Sequence, residues 1–235
     1  IQRMPATLEL ALFSLFIAIF FGIPLGIYAG LKPKSKVSKT IMAGSILGFS
    51  MPTFWVGIIF IMIFAVHLGW LPSTGRGELG TFLGIQSSLF TANGLSHVFL
   101  PALNLALFKM SSVIRLTRAG TREIILQDYI TFARSKGLSE EKVVLVHVLR
   151  NILIPIVTVI GLEFGSLIAF STVTETIFAW PGMGKLIIDS IYNLDRPVIV
   201  AYLMIIVTFF VFLNLLVDIL YSLLDPRVRV KGANE

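Results

Sequence analysis

Five apolar runs, at residues 8–29, 41–66, 98–114, 152–172 and 198–223, decide most of what this chain can become. A helix of roughly 20 apolar residues crosses a bilayer, so the runs predict an all-α polytopic membrane protein with five visible spans. The third run is short because Lys109 interrupts it. Composition agrees: 56% of the residues are hydrophobic and only 14% are charged, where a soluble domain carries about a quarter.

The connections between the runs alternate in charge. KPKSKVSK carries Lys32, Lys34, Lys36 and Lys39; the stretch 115–150 carries seven more Arg and Lys; the C-terminal tail carries three. The opposite loops, 67–97 and 173–197, hold only Arg76, Lys185 and Arg196. Excess Lys and Arg marks the cytoplasmic side, so 32–39, 115–150 and the C-terminus are expected inside, and residue 1 outside. That orientation implies a further span before Ile1, and the opening IQRM is taken as the start of a fragment. The net charge of +6 therefore reads as membrane orientation, with no basic stripe that would suit a nucleic acid.

Pro24, Pro52 and Pro155 interrupt the spans and each removes a backbone donor, which predicts local kinks or unwinding. Ser50 and Thr53 flank Pro52 and are placed to take up freed carbonyls. Gly22/Gly26, Gly44/Gly48 and Gly161/Gly165 form small-xxx-small pairs that permit close helix approach. Lys109 and Glu163 are the charges nearest mid-membrane, each roughly 16–17 Å deep at 1.5 Å per residue. Buried charges pair or line a water-filled path, so the two are expected within ion-pair reach or sharing the translocation cavity, with Ser50 and Pro52 on the same pathway. Asn104 is expected to hydrogen-bond between helices, and Asn214 with Asp218 to play a structural part.

The stretch 128–151 is the polar exception. Asp128 reads as an N-cap for a short helix 129–136, Gly137 as the left-handed C′ residue that ends it, and Ser139 as the cap of the next helix, with Glu140 and Glu141 in its first turn. Tyr129, Ile130, Phe132 and Ala133 give the short helix an apolar side beside Arg134 and Lys136. By physics alone it lies in the headgroups or docks on a soluble partner. On the other side of the membrane, Thr174 and Glu175 precede Trp180-Pro181-Gly182, a turn with an interfacial aromatic. The outer loop 67–97 is a further surface for a partner.

No catalytic or metal-binding pattern is found. There is no cysteine; His67, His97 and His147 have no metal-ligand spacing; GMGKL at 182–186 fails the P-loop pattern; and no Ser-His-Asp signature occurs. The chain is thus expected to bind no cofactor or metal and to lack enzyme activity of its own.

DYITFARSKGLSEEKVVLVHVLRNILIPIVTVIG resembles the conserved cytoplasmic loop of ABC-importer permeases, in the form of the dipeptide, oligopeptide and nickel class. MPATLELALFSLFIAIFFGIPLGIYAG, SMPTFWVGIIF, ETIFAWPGMGKLIIDSI and LLDPRVR resemble that class's opening core helix, broken second helix, periplasmic re-entrant segment and terminus, so the likeness covers nearly all 235 residues in order. The general loop pattern is Glu-Ala-Ala, three residues, Gly, nine residues, Ile-x-Leu-Pro. Of Thr131, Phe132, Ala133, Gly137, His147, Leu149 and Arg150 at those positions, only Ala133, Gly137 and Leu149 match, as in the substituted form of the peptide and nickel branch.

The resemblance implies a single permease domain of the type I importer fold in the bacterial inner membrane. It implies half of a translocation pathway, completed by a second homologous permease and working by alternating access. It also implies an extracytoplasmic binding protein and two cytoplasmic ATPase subunits that carry ATP and Mg. The coupling helix would be 128–137, touching the ATPase through Asp128, Tyr129, Phe132, Ala133, Arg134, Lys136, Gly137 and Leu138. Glu175, Trp180, Pro181 and Gly182 would lie at the periplasmic re-entrant segment near the outer gate. Peptides are the expected substrates, with nickel or metal chelates and glutathione as alternatives within the family. A stand-alone secondary transporter is the rival class, without the internal repeats it would be expected to carry.

Overall fold

A computed structural model describes residues 3–82 and 84–224; some side chains within its helices, those of Glu163 and Asp218 among them, also lie outside the description. The expectations for those two side chains therefore lie outside the described residues.

The first helix, α1, runs Met4–Leu31. Pro5 sits in its first turn, where a missing N–H costs nothing, and the helix continues unbroken past Pro24. A tight turn leads to α2, Lys36–Ser50, capped by the Ser35 hydroxyl, which accepts from Ser38 N at 3.0 Å. Met51 and Pro52 are both extended, with ψ 136° and 131°. The ring of Pro52 bars the helical conformation at the residue before it. The chain restarts as α3, Thr53–Phe60, prolonged by a π-helical stretch Ile61–His67, and the two halves meet at 106°. The sequence predicts a kinked span here; the structure has two helices and a sharp corner.

The outer connection is ordered. Strands β1, Gly80–Phe82, and β2, Ile85–Ser87, form an antiparallel hairpin with Thr81 opposite Gln86, followed by a 3₁₀ turn Ser88–Phe90. Helix α4 spans Ala92–Ile124, 33 residues, starting at a Thr91 cap and running through Pro101 and Lys109. Three short pieces follow: α5, Asp128–Ser135; α6, Glu140–Lys142; and a π-helical stretch Val143–Val148 that leads into α7, Leu149–Ile177. The axis bends by 41° between Leu153 and Pro155. Then come α8, Met183–Tyr192, and α9, Arg196–Leu224. Among the described residues three helices, α1, α4 and α9, are long and apolar enough to cross a membrane, and up to five spans result if each bent pair counts as one.

Helices α1 and α4 run parallel along a glycine seam. A Cβ on Gly22 would lie 2.8 Å from Val113 Cγ1, on Gly26 2.5 Å from Thr117 Cβ, and on Gly30 2.6 Å from Thr121 Cβ. Each step of four residues on α1 matches a step of four on α4, so both helices cross the membrane in the same direction. With no hydrophobic drive between helices in lipid, backbone proximity and dispersion hold such a pair. Gly165 does the same for α7 against the Phe210 ring of α9, at 2.5 Å. Gly44 meets nothing within 4 Å, so of the pair Gly44/Gly48 only Gly48, whose Cβ would lie 3.0 Å from Ser111 Oγ, makes a close approach.

Two buried clusters result. One, at the α1 N-terminal end, joins Ala6, Leu10, Val98, Ala102 and Trp180; the other, at the far end, joins Ile130, Ala133, Val143, Val148, Ile152 and Ile156.

Replacing Gly26 by Leu is expected to lower the unfolding temperature of the purified protein, since overpacking costs roughly 1–3 kcal/mol. Gly44→Ala, open on all sides, is expected to leave it unchanged or raise it.

Candidate functional site

Three places carry the chemistry. At the outer end, α7 stops in a Schellman turn: Trp180 N donates to Glu175 O at 2.8 Å and Ala179 N to Thr176 O at 3.3 Å. The left-handed C′ residue is Ala179, φ 46°, where glycine is the usual occupant. This reversal drives the Glu175 side chain, fully buried, under the start of α8. Its Oε1 accepts from Thr7 Oγ1 at 2.7 Å and Ser171 Oγ at 3.1 Å, and its Oε2 from Lys185 N at 3.0 Å. Thr7 Oγ1 in turn accepts from Met183 N at 2.8 Å. Two first-turn N–H groups of α8 are thus satisfied by side chains from other helices, and the anion lies where the helix dipole favours it. A Cβ on Gly182 would stand 2.3 Å from the Glu175 carboxyl, and one on Gly184 2.4 Å from Thr172 Cα. The glycines of GMG are therefore needed for close packing.

Trp180 departs from expectation. It is fully buried, its Nε1 donating to Ala6 O at 2.9 Å. An indole whose N–H has a backbone acceptor inside the protein has no need of the headgroup layer, so it locks α7 to α1 rather than anchoring at the interface. Beside it, buried Glu9 pairs with Arg76 and accepts from Ser88 N at 3.1 Å and from the Ser88 hydroxyl. Arg76 also lies 5.9 Å over the Trp180 ring. The sequence alone does not single out Glu9, although an acid one turn inside an apolar helix is a signal in its own right. Its partners are 67 and 79 residues away.

Mid-chain, the corner at Met51–Pro52 opens a cavity of about 300 Å³, lined by Phe49, Ser50, Pro52, Leu105, Phe108, Lys109 and Leu167. The structure brings Lys109, Ser50 and Pro52 to one place. Lys109 is buried, its ammonium 5.6 Å from the Phe108 ring; Phe108 stacks on Phe49 at 4.8 Å, and Arg115 lies 4.6 Å over the Phe49 ring. Ser50 Oγ donates to Ile46 O at 2.8 Å, one turn back in α2, and not to Gly48 O, the carbonyl that Pro52 leaves without its helical donor. Asn104 Nδ2 donates to Thr174 Oγ1 at 3.0 Å, joining α4 to α7.

At the inner end, α5 begins one residue earlier than the sequence suggests. Gln127 is the N-cap, without a side-chain bond, and Asp128 lies in the first turn, where its charge favours the helix dipole without capping it. Gly137 has φ 78°, Gly137 N donates to Arg134 O and Leu138 N to Ala133 O, and nothing stands within 4 Å of a Cβ there. The glycine is needed for its conformation, not for space. Ser139 caps α6 through Lys142 N at 3.5 Å. The apolar side of α5 divides in two: Ile130 and Ala133 are buried in the inner cluster, while Tyr129 and Phe132 point outward, Phe132 being 60% exposed. Lys136 lies 4.5 Å over the Phe132 ring, and Arg134 grips Glu140 with two bonds of 2.8 and 3.1 Å. Among the described residues no cluster of metal-ligating side chains occurs.

Residues 22–230 match the family of binding-protein-dependent transport system inner membrane components. The chain belongs to that family. The permease is 43% identical, over 96% of its own length and 70% of the relative's, to a di/tripeptide transport system permease protein, DppB, of Pseudomonas aeruginosa strain UCBPP-PA14. It is 37% identical to the dipeptide permease protein DppB of Escherichia coli K12, with 98% and 73% covered. It is 41% identical to the oligopeptide permease protein AppB of Bacillus subtilis 168, with 97% and 70% covered. In fold it is similar to a chain of the MetNI methionine ABC transporter in an inward-facing form, with a TM-score of 0.71 at 17% identity, covering 94% of this chain and 93% of that one. A chain of an amino acid ABC transporter with histidines follows at TM-score 0.61, 16% identity, and 96% and 92% coverage. The permease is therefore an all-α transport component of the bacterial inner membrane, with the importer fold.

Replacing Glu175 by Leu is expected to destabilise the permease by about 1–3 kcal/mol for each buried donor left without its acceptor, read as a fall in unfolding temperature. Ala179→Gly is expected to raise that temperature, by removing a left-handed strain of about 1 kcal/mol.

Proposed function

We propose that this permease forms half of the membrane pathway of an ATP-driven peptide importer and is coupled to its ATPase subunits through α5. The observation that carries the coupling is the divided face of α5. Ile130 and Ala133 hold the helix to the membrane-embedded bundle, and Tyr129, beside the His147 ring, and Phe132, under Lys136, stand exposed on the outside. A short rigid helix clamped on one side and aromatic on the other is a knob suited to a groove on a soluble subunit. Asp128, Arg134, Lys136, Gly137 and Leu138 rim or shape it. Movement of a groove-bound α5 would pass to α7 and α4 through the inner cluster, which joins Ile130 and Ala133 to Val148, Ile152 and Leu116.

Peptide transport is supported by the relatives, whose names are those of di-, tri- and oligopeptide permeases. The cavity at the α2–α3 corner is the proposed pathway contact, with Lys109 supplying positive charge and Ser50 and the Pro52 corner shaping the wall. Glu163 belongs to the same proposal by its place on α7. ATP and Mg would sit on the partner ATPase subunits, a binding protein would deliver substrate from outside, and a second permease would complete the path by alternating access. Glu175, Trp180, Pro181 and Gly182 would form a rigid outer block beside the gate.

Two measurements test this. In proteoliposomes holding the complete transporter, ATP-dependent uptake of labelled dipeptide is expected to fall at least tenfold in Lys109→Met while the ATPase subunits stay bound. Uptake of a nickel chelate or glutathione in place of peptide would overturn the substrate assignment. The double variant Tyr129→Ala/Phe132→Ala is expected to lose co-purifying ATPase with little change in unfolding temperature, because both side chains are exposed. Retained ATPase would overturn the coupling assignment.

A further inference from the structure

We propose that the turn between α1 and α2 is a binding site for anionic phospholipid headgroups of the leaflet into which it opens, held by Lys34, Lys36 and Lys39 with Lys32 alongside. Four lysines fall within eight residues, and no Asp or Glu occurs anywhere from residue 10 to residue 77. All four are exposed. Among the described residues none of them enters an ion pair; Lys32 lies 5.7 Å over the Tyr28 ring and lines a cavity that Glu140 and Glu141 also line, so the patch of one sign is Lys34, Lys36 and Lys39. The contrast with the stretch 115–150 on the same side is informative. There Glu123, Asp128, Glu140 and Glu141 are interspersed with the basic residues, and Arg134 is paired to Glu140. A surface of both signs suits a protein partner; a patch of one sign, at the foot of two membrane helices, suits a surface uniformly of the other sign.

Two further features point the same way. Lys36 and Lys39 stand in the first turn of α2, which has no acidic residue there. The helix dipole disfavours cations at that end; the Ser35 hydroxyl caps one N–H there but brings no negative charge, which a phosphate group would. The patch is also rigid. Lys32 N donates to Tyr28 O at 3.0 Å, Ser35 N to Lys32 O at 3.1 Å, and the buried Ser38 hydroxyl to Ala29 O at 3.2 Å. The lysine backbones are therefore held in place, and only side-chain freedom is lost on binding. Above the lysines, Ile46 and Leu47 of α2 are 55% and 57% exposed, a surface for the acyl chains of the same lipid.

The test uses the complete transporter in nanodiscs of phosphatidylcholine with a minority of phosphatidylglycerol, reading retained phosphatidylglycerol per complex by native mass spectrometry. The triple variant K34Q/K36Q/K39Q is expected to reduce affinity for phosphatidylglycerol by an order of magnitude or more, each lysine near a headgroup surface being worth about fivefold. K34R/K36R/K39R, which keeps the charge, is expected to restore it. Unchanged retention in the glutamine variant overturns the site. So does loss of the ATPase subunits with lipid retained, which would assign the patch to a protein partner. Displacement of the lipid by inorganic phosphate at constant ionic strength would assign it to free anions and overturn it equally.

Discussion

Close backbone contact between α1 and α4 is the constraint on which the rest of the molecule depends. Lipid offers no solvent penalty to drive two apolar helices together, so they hold only where their backbones approach closely. Gly22, Gly26 and Gly30 provide that approach over Val113, Thr117 and Thr121. Once the pair is parallel and in register, its two ends are fixed relative to each other. Thr7 and Glu9 reach the outer connections, while Ile23 and Ile27 reach the cluster that seats α5.

The two ends solve different problems. The outer end buries carboxylates, which lipid or a dry interior penalises unless both oxygens find donors. Glu175 meets that condition with two hydroxyls and a backbone N–H, Glu9 with Arg76 and Ser88, so α1, α7, α8 and the hairpin-bearing connection become one block. The inner end does the reverse. Its polar segment is short and held by caps, a Schellman turn and one divided hydrophobic face, leaving aromatic surface outside. Under the proposed coupling, the unbroken helices α1 and α4 would carry an event at the inner end to the outer block.

Much of this was legible in the sequence because it is local. Gly137 as a left-handed C′ residue and Ser139 as a cap follow from backbone chemistry within a few positions, and the structure has both. The break at Pro52 was legible too, although not its angle, which depends on two successive extended residues rather than one missing hydrogen bond. The apolar run ends at 114, but helical character is readable from Ser111 to Gln127, and α4 does continue to Ile124, with Thr117 and Thr121 covered by the glycines of α1. What sequence could not supply was pairing at long range. Glu9 with Arg76 and Ser88, Glu175 with Thr7, and Trp180 with Ala6 O join positions 67 to 174 residues apart. Taken singly, Arg76 reads as a loop charge and Trp180 as an interfacial aromatic, while nothing in the sequence ties Thr7, Glu9 or Ser88 to them. The sorting of Ile130 and Ala133 from Tyr129 and Phe132 likewise required knowing which side the bundle lies on.

The central claim is that the exposed face of α5 belongs to a soluble ATPase subunit. The chain has no cysteine, so single cysteines can be placed along α5 in the complete transporter and tested for cross-linking to that subunit. Cross-links at positions 129, 132 and 136, with none at 130 and 133, are the predicted result. No cross-link at any position, with a probe at position 132 quenched by spin-labelled lipid instead, would contradict it and return the helix to the headgroup layer.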